Sequence, residues 1–485
     1  MNNLLNYVAL NSIFSFNKDF LSVRNSDIQK IPQKCFGAFI SVKRSSSQTL
    51  KTWPEDIHGC IGNWKQNFNE KSKKDLFDIM VDVGYKACNN DSRKDYFKPI
   101  YNDSQAIFEV DFMMLPLLKI NSTNGRMNNG EVFKNENYGI IVVNDSNTAT
   151  YLPKVFLNKS WLDLKKELLK KADISKKLNT KFYAYKAKIH SIKIYELIKY
   201  LKKKIFNKFI QFNLKHYTSF VPYNVKNNKV LIDKSQYVRN IATLNDLLQV
   251  KNILKINDTN LLKLIKSNLD YYIQIMTQDK GSMRQASSFL LLALKNFNKK
   301  ISNKNVFIKD VCNYLYDNLE YMDKSFELGE VCIALNEVCL LRTELMKIQK
   351  KMFSDLKKLS HSSDSIFRYN WESKFLYSLY KTRTSPNLNE SIINHFEELL
   401  HRIINNFNLN ESSETNYLAV TFEALSSLKI FIKNKKKLNK VKDIIFYIFY
   451  LLQKRYNKNG LYYFKSNNEA RLDITGHIIN GLLLY

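Results

Sequence analysis

From residue 195 onward strands are expected to stop, and helix-period segments follow one another in pairs: 195–215 with 237–250, 258–278 with 284–297, 306–320 with 327–341, 344–360 with 371–382, 389–406 with 415–432, and 438–455 with 472–484. That pattern predicts six helical hairpins. Second members start roughly 45 residues apart, the spacing of a two-helix repeat, and one such unit cannot bury its apolar face alone. First members, such as 258–276 and 438–455, carry Lys-rich faces and long apolar side chains, as outer helices do. Second members are rich in small residues, among them Ala286-Ser287-Ser288, Ala334, Ala419, Ala424-Leu425-Ser426-Ser427, Gly476 and Gly481. Small side chains let helices approach closely at a crowded centre.

Polar and aromatic groups gather where the second members begin: Tyr237 with Arg239, Ser282 with Arg284 and Gln285, Phe326 with Glu327, Tyr369-Asn370-Trp371-Glu372, Glu414 with Asn416 and Tyr417, and Arg471-Leu472-Asp473 with His477. In a closed ring these starts converge on one mouth. The arrangement resembles the (α/α)6 toroids of glycan-acting epimerases, hydrolases and lyases, with no family signature behind the likeness. The expected mouth is lined by Arg239, Arg284, Glu327, Trp371, Glu372, Tyr417, Asp473 and His477. Glu327, Glu330, Glu372, Glu414 and Asp473 are the carboxylates near that mouth; glycoside chemistry needs two of them facing each other across a bond, and Glu372 and Asp473 are the candidates. Helix-dipole duty explains an acidic residue in a first turn equally well. Trp371 and Tyr417 suit stacking on a sugar, although aromatic residues at helical spacing are more often core. His477 follows Asp473 by one turn, a spacing suited to a hydrogen-bonded pair.

Before residue 195 the pattern changes character often. Short β-rich runs at 36–42, 106–113, 138–143 and 182–194 alternate with Asn/Ser/Asp/Gly loops and with helical stretches at 74–89 and 161–171, which predicts an α+β domain. Within it stands Ile57-His58-Gly59-Cys60-Ile61-Gly62, a Gly-Cys-apolar-Gly segment preceded by Trp53-Pro54. The segment resembles the Leu-Arg-Gly-Cys-Ile-Gly signature of the AMMECR domain family. Further matches follow in the family's order: Ala87, Asp91-Ser92-Arg93 with Phe97-Lys98-Pro99, Phe108-Glu109-Val110, Gly139-Ile140-Ile141-Val142, Leu152-Pro153-Lys154-Val155, and Trp161 with 168–174. His58 replaces the family's arginine, and two residues are inserted in the run that here reads Asp91 to Pro99. The resemblance covers roughly residues 1–195, so the domains are expected at 1–195 and 196–485. It implies association with Memo-like or radical-SAM proteins, and it names no reaction.

Cys60 is the sharpest candidate in this half. It is either a thiol nucleophile assisted by His58 or a small buried hydrophobe in a glycine-shaped turn. His58 and Cys60, two residues apart, share a face only in an extended segment. Asp91 and Arg93 clamp either a ligand or one another. Glu109 on its strand is an acid or base if it points inward and ordinary if outward.

A chain of 485 residues with 45% hydrophobic content is long enough for two cores. Its formal charge of +30 suggests an anionic partner, but only 12 of 75 basic residues are Arg, and Lys is a solvated point charge ill-suited to forked base reading. Specific nucleic-acid binding is therefore not expected. Six cysteines without a Cys-x-x-Cys pair predict reduced thiols. No Gly-rich phosphate loop, paired-cysteine zinc site or His-Glu-x-x-His helix occurs, so no metal or cofactor is expected. The first residues lack a signal-peptide pattern and no run of about 18 apolar residues exists, so a cytoplasmic protein is expected. The leading functional expectation is an enzyme or enzyme component whose toroid binds a sugar-like or extended polar ligand. Its rivals are a non-catalytic scaffold built as an open solenoid and a basic RNA-associated protein.

Overall fold

The computed structural model describes the chain apart from residues 15–22, 45–56, 65–67, 93–102, 146, 158, 176–178, 217–221, 223, 228, 234, 279–283, 298–300, 302–303, 319–324, 339–365, 382–385, 407–408, 457–459 and 464–468, and apart from the side chains of 284–285, 325–328, 386–393 and 406. Two units emerge, Met1–Leu197 and Ile198–Tyr485.

The first unit is built on a six-stranded sheet in the order β2-β1-β3-β6-β4-β5, all neighbours antiparallel. The strands are β1 (Cys35–Lys43), β2 (Ile57–Trp64), β3 (Ile107–Ile120), β4 (Gly139–Asn144), β5 (Asn147–Tyr151) and β6 (Lys181–Lys193). β1 is buried along nearly its whole length. Helix α1 (Asn2–Phe14) packs on α3 (Lys73–Asn89) and β6, and α3 packs on β1 and β2, while α2 (Asn25–Ile28) is a single turn. Gly84 permits that approach, since a Cβ there would lie 2.4 Å from Ser12 Oγ. α4 (Trp161–Lys171), capped by Ser160, lays Leu164 and Leu168 on a cluster with Ile120, Ile140, Val142 and Phe182. A second cluster, of Phe36, Phe39, Met113, Ile141 and Tyr185, carries the half-buried Cys60 at its margin. The expected helices and strands are present, and α1, β2 and β5 add to them.

The second unit is largely helical. Its members are α5 (Glu196–Lys215), α6 (Tyr237–Leu254), α7 (Thr259–Gln278), α8 (Arg284–Asn296), α9 (Lys304–Asp317), α10 (Ser325–Val338), α11 (Ile366–Lys381), α12 (Pro386–Asn406), α13 (Thr415–Leu428), α14 (Lys435–Gln453) and α15 (Leu472–Leu483). They fall on the segments that the periodicity picks out, the segment 344–360 lying outside the described residues. α6 packs on α8, α8 on α10, α10 on α11, α11 on α13, α13 on α15, and α15 back on α6. These are the small-residue helices, and a Cβ on Gly481 of α15 would meet the Phe422 ring of α13 at 2.4 Å.

Two expectations need correcting. Strands do not stop at residue 195: β7 (Asn224–Lys226) lies between β8 (Lys229–Leu231) and β9 (Glu469–Arg471) in a small sheet. Three-residue strands leave too short an alternation to read from sequence. β7 follows the unit's first helix and β9 precedes its last, so the sheet ties the two ends of the helical array, aided by Asn224 Nδ2 donating to Glu469 Oε1 at 2.7 Å. The thiols are also not uniformly reduced, for Cys312 is disulfide-bonded whereas Cys35, Cys60, Cys88 and Cys332 are free. No described helix is long and apolar enough to cross a membrane.

Candidate functional site

α6, α8, α10, α11, α13 and α15 all contribute to one cavity of about 520 Å³ within the second unit. Arg239, Trp371, Asp473 and His477 line it. Arg284 and Glu327 occupy the first turns of α8 and α10, with side chains outside the described residues.

The chemically distinctive groups lie deeper than the helix starts. Lys374, one turn beyond Trp371, places its Nζ 4.3 Å from the Trp371 ring centroid, 3.4 Å from Glu423 Oε1 and 3.6 Å from Glu330 Oε2. Glu423 Oε2 is 2.7 Å from His477 Nδ1 and accepts from Asn370 Nδ2 at 2.8 Å. Burial works against ionising Glu423, but Lys374 and then His477 overcome it and hold its carboxyl down at about 2. For Asp246 the balance is reversed: burial, reinforced by the charge of Glu423, outweighs Lys374 and His477 and pushes its carboxyl up to about 7. Burial likewise raises Glu330 above the usual range. For Lys374 burial opposes the charged form, while Glu330, Glu423 and Asp246 outweigh it and raise its affinity for the proton. Gly476 makes room for this packing, since a Cβ there would come within 2.3 Å of Asp246 Oδ2.

Asp473 belongs to a second ion pair near the helix starts. Burial opposes its ionisation, and the bidentate grip of Arg471, with Arg239 at 3.9 Å, holds its carboxyl below the usual range. His477 therefore pairs with Glu423 on the neighbouring helix rather than with Asp473, contrary to expectation, because Arg471 already occupies the aspartate.

Glu372 and Tyr417 are not among the lining residues, which corrects the expected mouth. One residue beyond Trp371 turns the side chain about 100° around the helix, and Glu372 is buried against the outer helix α12. There it takes Arg368 Nε at 3.1 Å and lies 3.4 Å from His395 Nε2. Tyr417 packs edge-on to Phe367 at 5.9 Å. The supposed pair of Glu372 and Asp473 is thus not assembled across the cavity, and the carboxylates that share it most deeply are Asp246, Glu330 and Glu423. Glu330 is one of the carboxylates expected near the mouth, and sequence also held a signal for Glu423, the only charge in Leu418 to Leu428, a run that is buried throughout.

In the first unit, cross-strand register sets Cys60, Ser41 and Glu109 side by side over β2, β1 and β3. Ser41 Oγ donates to Cys60 Sγ at 3.1 Å, and the Cys60 backbone N–H donates to Asp91 Oδ2 at 2.9 Å. Glu109 pairs with Lys43. Two residues along the same face, Asp111 is buried, and that burial together with the charge of Glu109 pushes its carboxyl up to about 7. Gly59 is required here, since a Cβ would lie 1.9 Å from the Ala87 carbonyl oxygen at the end of α3. His58 falls at the register shift between Val42 and Lys43, where the regular alternation that would set it on the face of Cys60 is interrupted. It is buried, with Nε2 3.6 Å from Asp103 Oδ2. Arg93 lies outside the described residues.

Burial pushes the Cys35 thiol up to about 12 and also raises Cys88, which is half-buried like Cys60, whereas Cys60 receives a hydrogen bond at sulfur. Iodoacetamide at neutral pH, followed by peptide mass spectrometry, should therefore modify Cys60 before Cys35 and Cys88. Equal rates for the three would leave Cys60 a packing residue.

Neither a curated protein nor a solved structure matches the chain. The AMMECR1 family model matches residues 8–194, so the N-terminal unit carries an AMMECR1 domain.

Proposed function

We propose that the C-terminal unit is an (α/α)6 toroid whose central cavity carries out acid–base chemistry on an extended polar ligand, sugar-like ligands among them. The cyclic packing of α6, α8, α10, α11, α13 and α15 supports the ring, and β7 pairing with β9 supports its closure over an open solenoid. One observation carries the chemistry: Asp246 and Glu423 line the same cavity, one carboxyl pushed up to about 7 and the other held at about 2. Two titratable groups driven apart in this way are the pattern of an acid and a base at work in one site. Asp246 then supplies a proton near neutral pH. Glu423 remains ionised beside His477, which relays or stabilises charge. Trp371 and Phe289 provide an apolar wall, and Asn245, Gln249 and Asn480 provide hydrogen-bonding groups for a hydroxylated chain.

The test is a turnover screen of oligosaccharides and nucleotide sugars with the wild type and with Asp246→Asn, read by mass spectrometry. Loss of a general acid should lower the rate by about 10²–10⁴-fold while leaving binding largely intact. The wild-type rate should also fall as pH rises through about 7, where Asp246 loses its proton. Unchanged turnover in Asp246→Asn would remove Asp246 from the chemistry.

A further inference from the structure

The sheet face that carries Cys60 in the first unit also carries a buried acid for which the fold supplies no partner. Asp111 is 2% exposed, and its Oδ2 has no hydrogen-bond partner. Leaving a buried polar atom unpaired costs stability, and such atoms persist where a bound molecule or a reaction makes use of them. Alternation along β3 puts Asp111 on the face of Glu109, and register sets Glu109 beside Ser41 and Ser41 beside Cys60. Tyr185 of β6 stands near both ends of this row, since the charges of Asp111 and Cys60 both act on its phenol.

The second glycine of the motif shapes the ground between thiol and acid. A Cβ on Gly62 would lie 2.3 Å from the Phe39 ring, which leans over Gly62 and stacks on Trp64 at 5.3 Å. Phe39 is the β1 residue opposite Asp111, so turning its ring toward β2 keeps it from lidding the carboxyl. On the other side, Ile189 opposite Asp111 is 41% exposed and Ser191 opposite Glu109 is exposed, which leaves the row open along β6. The two ends bring complementary chemistry. Cys60 Sγ takes a hydrogen bond from Ser41 Oγ, which favours the nucleophilic thiolate. Burial and then the charge of Glu109, against Lys43, push the Asp111 carboxyl up to about 7, so it has a proton to give near neutral pH. Lys43 is committed to Glu109, and burial keeps the Tyr185 phenol protonated. Two strand spacings of about 4.8 Å and two residues of about 3.4 Å each separate Cys60 from Asp111. A simple carbonyl attacked by the sulfur holds its oxygen two bonds away, too near the thiol to meet the carboxyl. A conjugated carbonyl attacked at its β-carbon holds its oxygen four bonds away and reaches toward it.

We propose that Cys60 adds covalently to a small α,β-unsaturated carbonyl compound, with Asp111 donating a proton to the carbonyl oxygen. The thiol gives its proton to solvent, and the sulfur forms a bond to the β-carbon. The carbon–carbon π bond breaks, and its electron pair arrives on the carbonyl oxygen as an enolate that takes the proton of Asp111. Asp111 regains a proton from water, the enol returns to the carbonyl form, and the sum is S–H added across the double bond. No oxidant or reductant takes part. This site lies within the AMMECR1 domain and is independent of the cavity in the second unit.

The test treats the full chain with 2-cyclohexenone and, in parallel, with iodoacetamide, whose displacement of iodide needs no proton donor. Peptide mass spectrometry follows the Cys60 adduct at pH 6 and pH 8. Asp111→Asn is expected to slow the cyclohexenone adduct about 10²-fold, the effect of losing a general acid, while iodoacetamide alkylation changes by less than about threefold. In the wild type, the cyclohexenone rate divided by the iodoacetamide rate should fall from pH 6 to pH 8 as Asp111 loses its proton. The ratio cancels ionisation of the thiol, which both reactions need. Slowing of both reagents alike, or of neither, overturns the role of Asp111, and so does a ratio that does not change with pH. Absence of a Cys60 adduct with cyclohexenone at either pH removes the site. Melting curves establish that Asp111→Asn is folded, and if it is not, the pH dependence of the wild-type ratio decides.

Discussion

Replacing Lys374 with Met should destabilise the C-terminal unit by about 3–5 kcal/mol at pH 8, the usual cost of leaving a buried ion-pair partner uncompensated. Lys374 lies within 3.6 Å of Glu330 and 3.4 Å of Glu423, and its charge is the largest influence that keeps Glu423 ionised against burial. Without it, Asp246, Glu330 and Glu423 lose the lysine they share, and Glu423 keeps its contacts with His477 and Asn370. The pH dependence between pH 8 and pH 5 should steepen, since in the wild type the raised carboxyls of Asp246 and Glu330 already favour the folded state as pH falls and in the variant Glu423 joins them. In the wild type, Glu423 has a lowered affinity for the proton, so its contribution to stability is present above its ordinary value of 4.5 and is lost as pH falls toward about 2. In the variant its carboxyl rises above the unfolded value, so the folded state binds more protons than the unfolded one and stability increases as pH falls from 8 to 5. Calorimetric melting of both proteins at pH 8 and pH 5 measures this directly. A deficit below about 1 kcal/mol, or one equal at both pH values, would show that the four groups do not act as a coupled set.

Gly59→Ala should be nearly as costly in the AMMECR1 domain. The added methyl would sit 1.9 Å from the Ala87 carbonyl oxygen and 3.1 Å from Asp91 Cβ. The closer contact is with backbone at the end of α3, which cannot rotate away as a side chain does, so β2 and α3 must separate. Overpacking of this kind costs about 1–3 kcal/mol and occasionally more, and backbone contact puts Gly59 at the upper end. Separation should also break the hydrogen bond from the Cys60 N–H to Asp91 Oδ2, and faster hydrogen exchange at the Cys60 amide would report it. Denaturant unfolding gives the energy. A loss under about 1 kcal/mol with unchanged exchange would mean that β2 approaches α3 less closely than described.

Much of the candidate site in the second unit was legible because helix starts were. Arg239, Trp371, Asp473 and His477 stand in or near the first turns of inner helices, and each lines the cavity. Glu372 was misplaced by a single residue, since neighbours on a helix diverge by about 100° and the buried Arg368 and His395 claim it on the outer side. Glu330 was legible as one of the carboxylates near the helix starts, whereas Asp246 and Lys374 carry no local mark. Each of these two looks like an ordinary charge on an amphipathic helix until the neighbouring helices pack around it. In the first unit the motif around Cys60 identified the family, but the neighbours of the thiol, Ser41 and Glu109, follow from strand register.

Periodicity and composition by themselves determined where the helices lie, which of each pair is lined with small residues, and that an α+β domain with the AMMECR1 motifs precedes them. Those properties are local, written within three or four residues of one another along the chain. Closure of α15 on α6, the strand pairing of residues 224–226 with 469–471, and the opposed proton affinities of Asp246 and Glu423 were decided only by tertiary structure. A carboxyl's affinity for its proton depends on how much water it loses and which charges stand within a few ångströms, and for these two residues those charges come from helices far away in sequence.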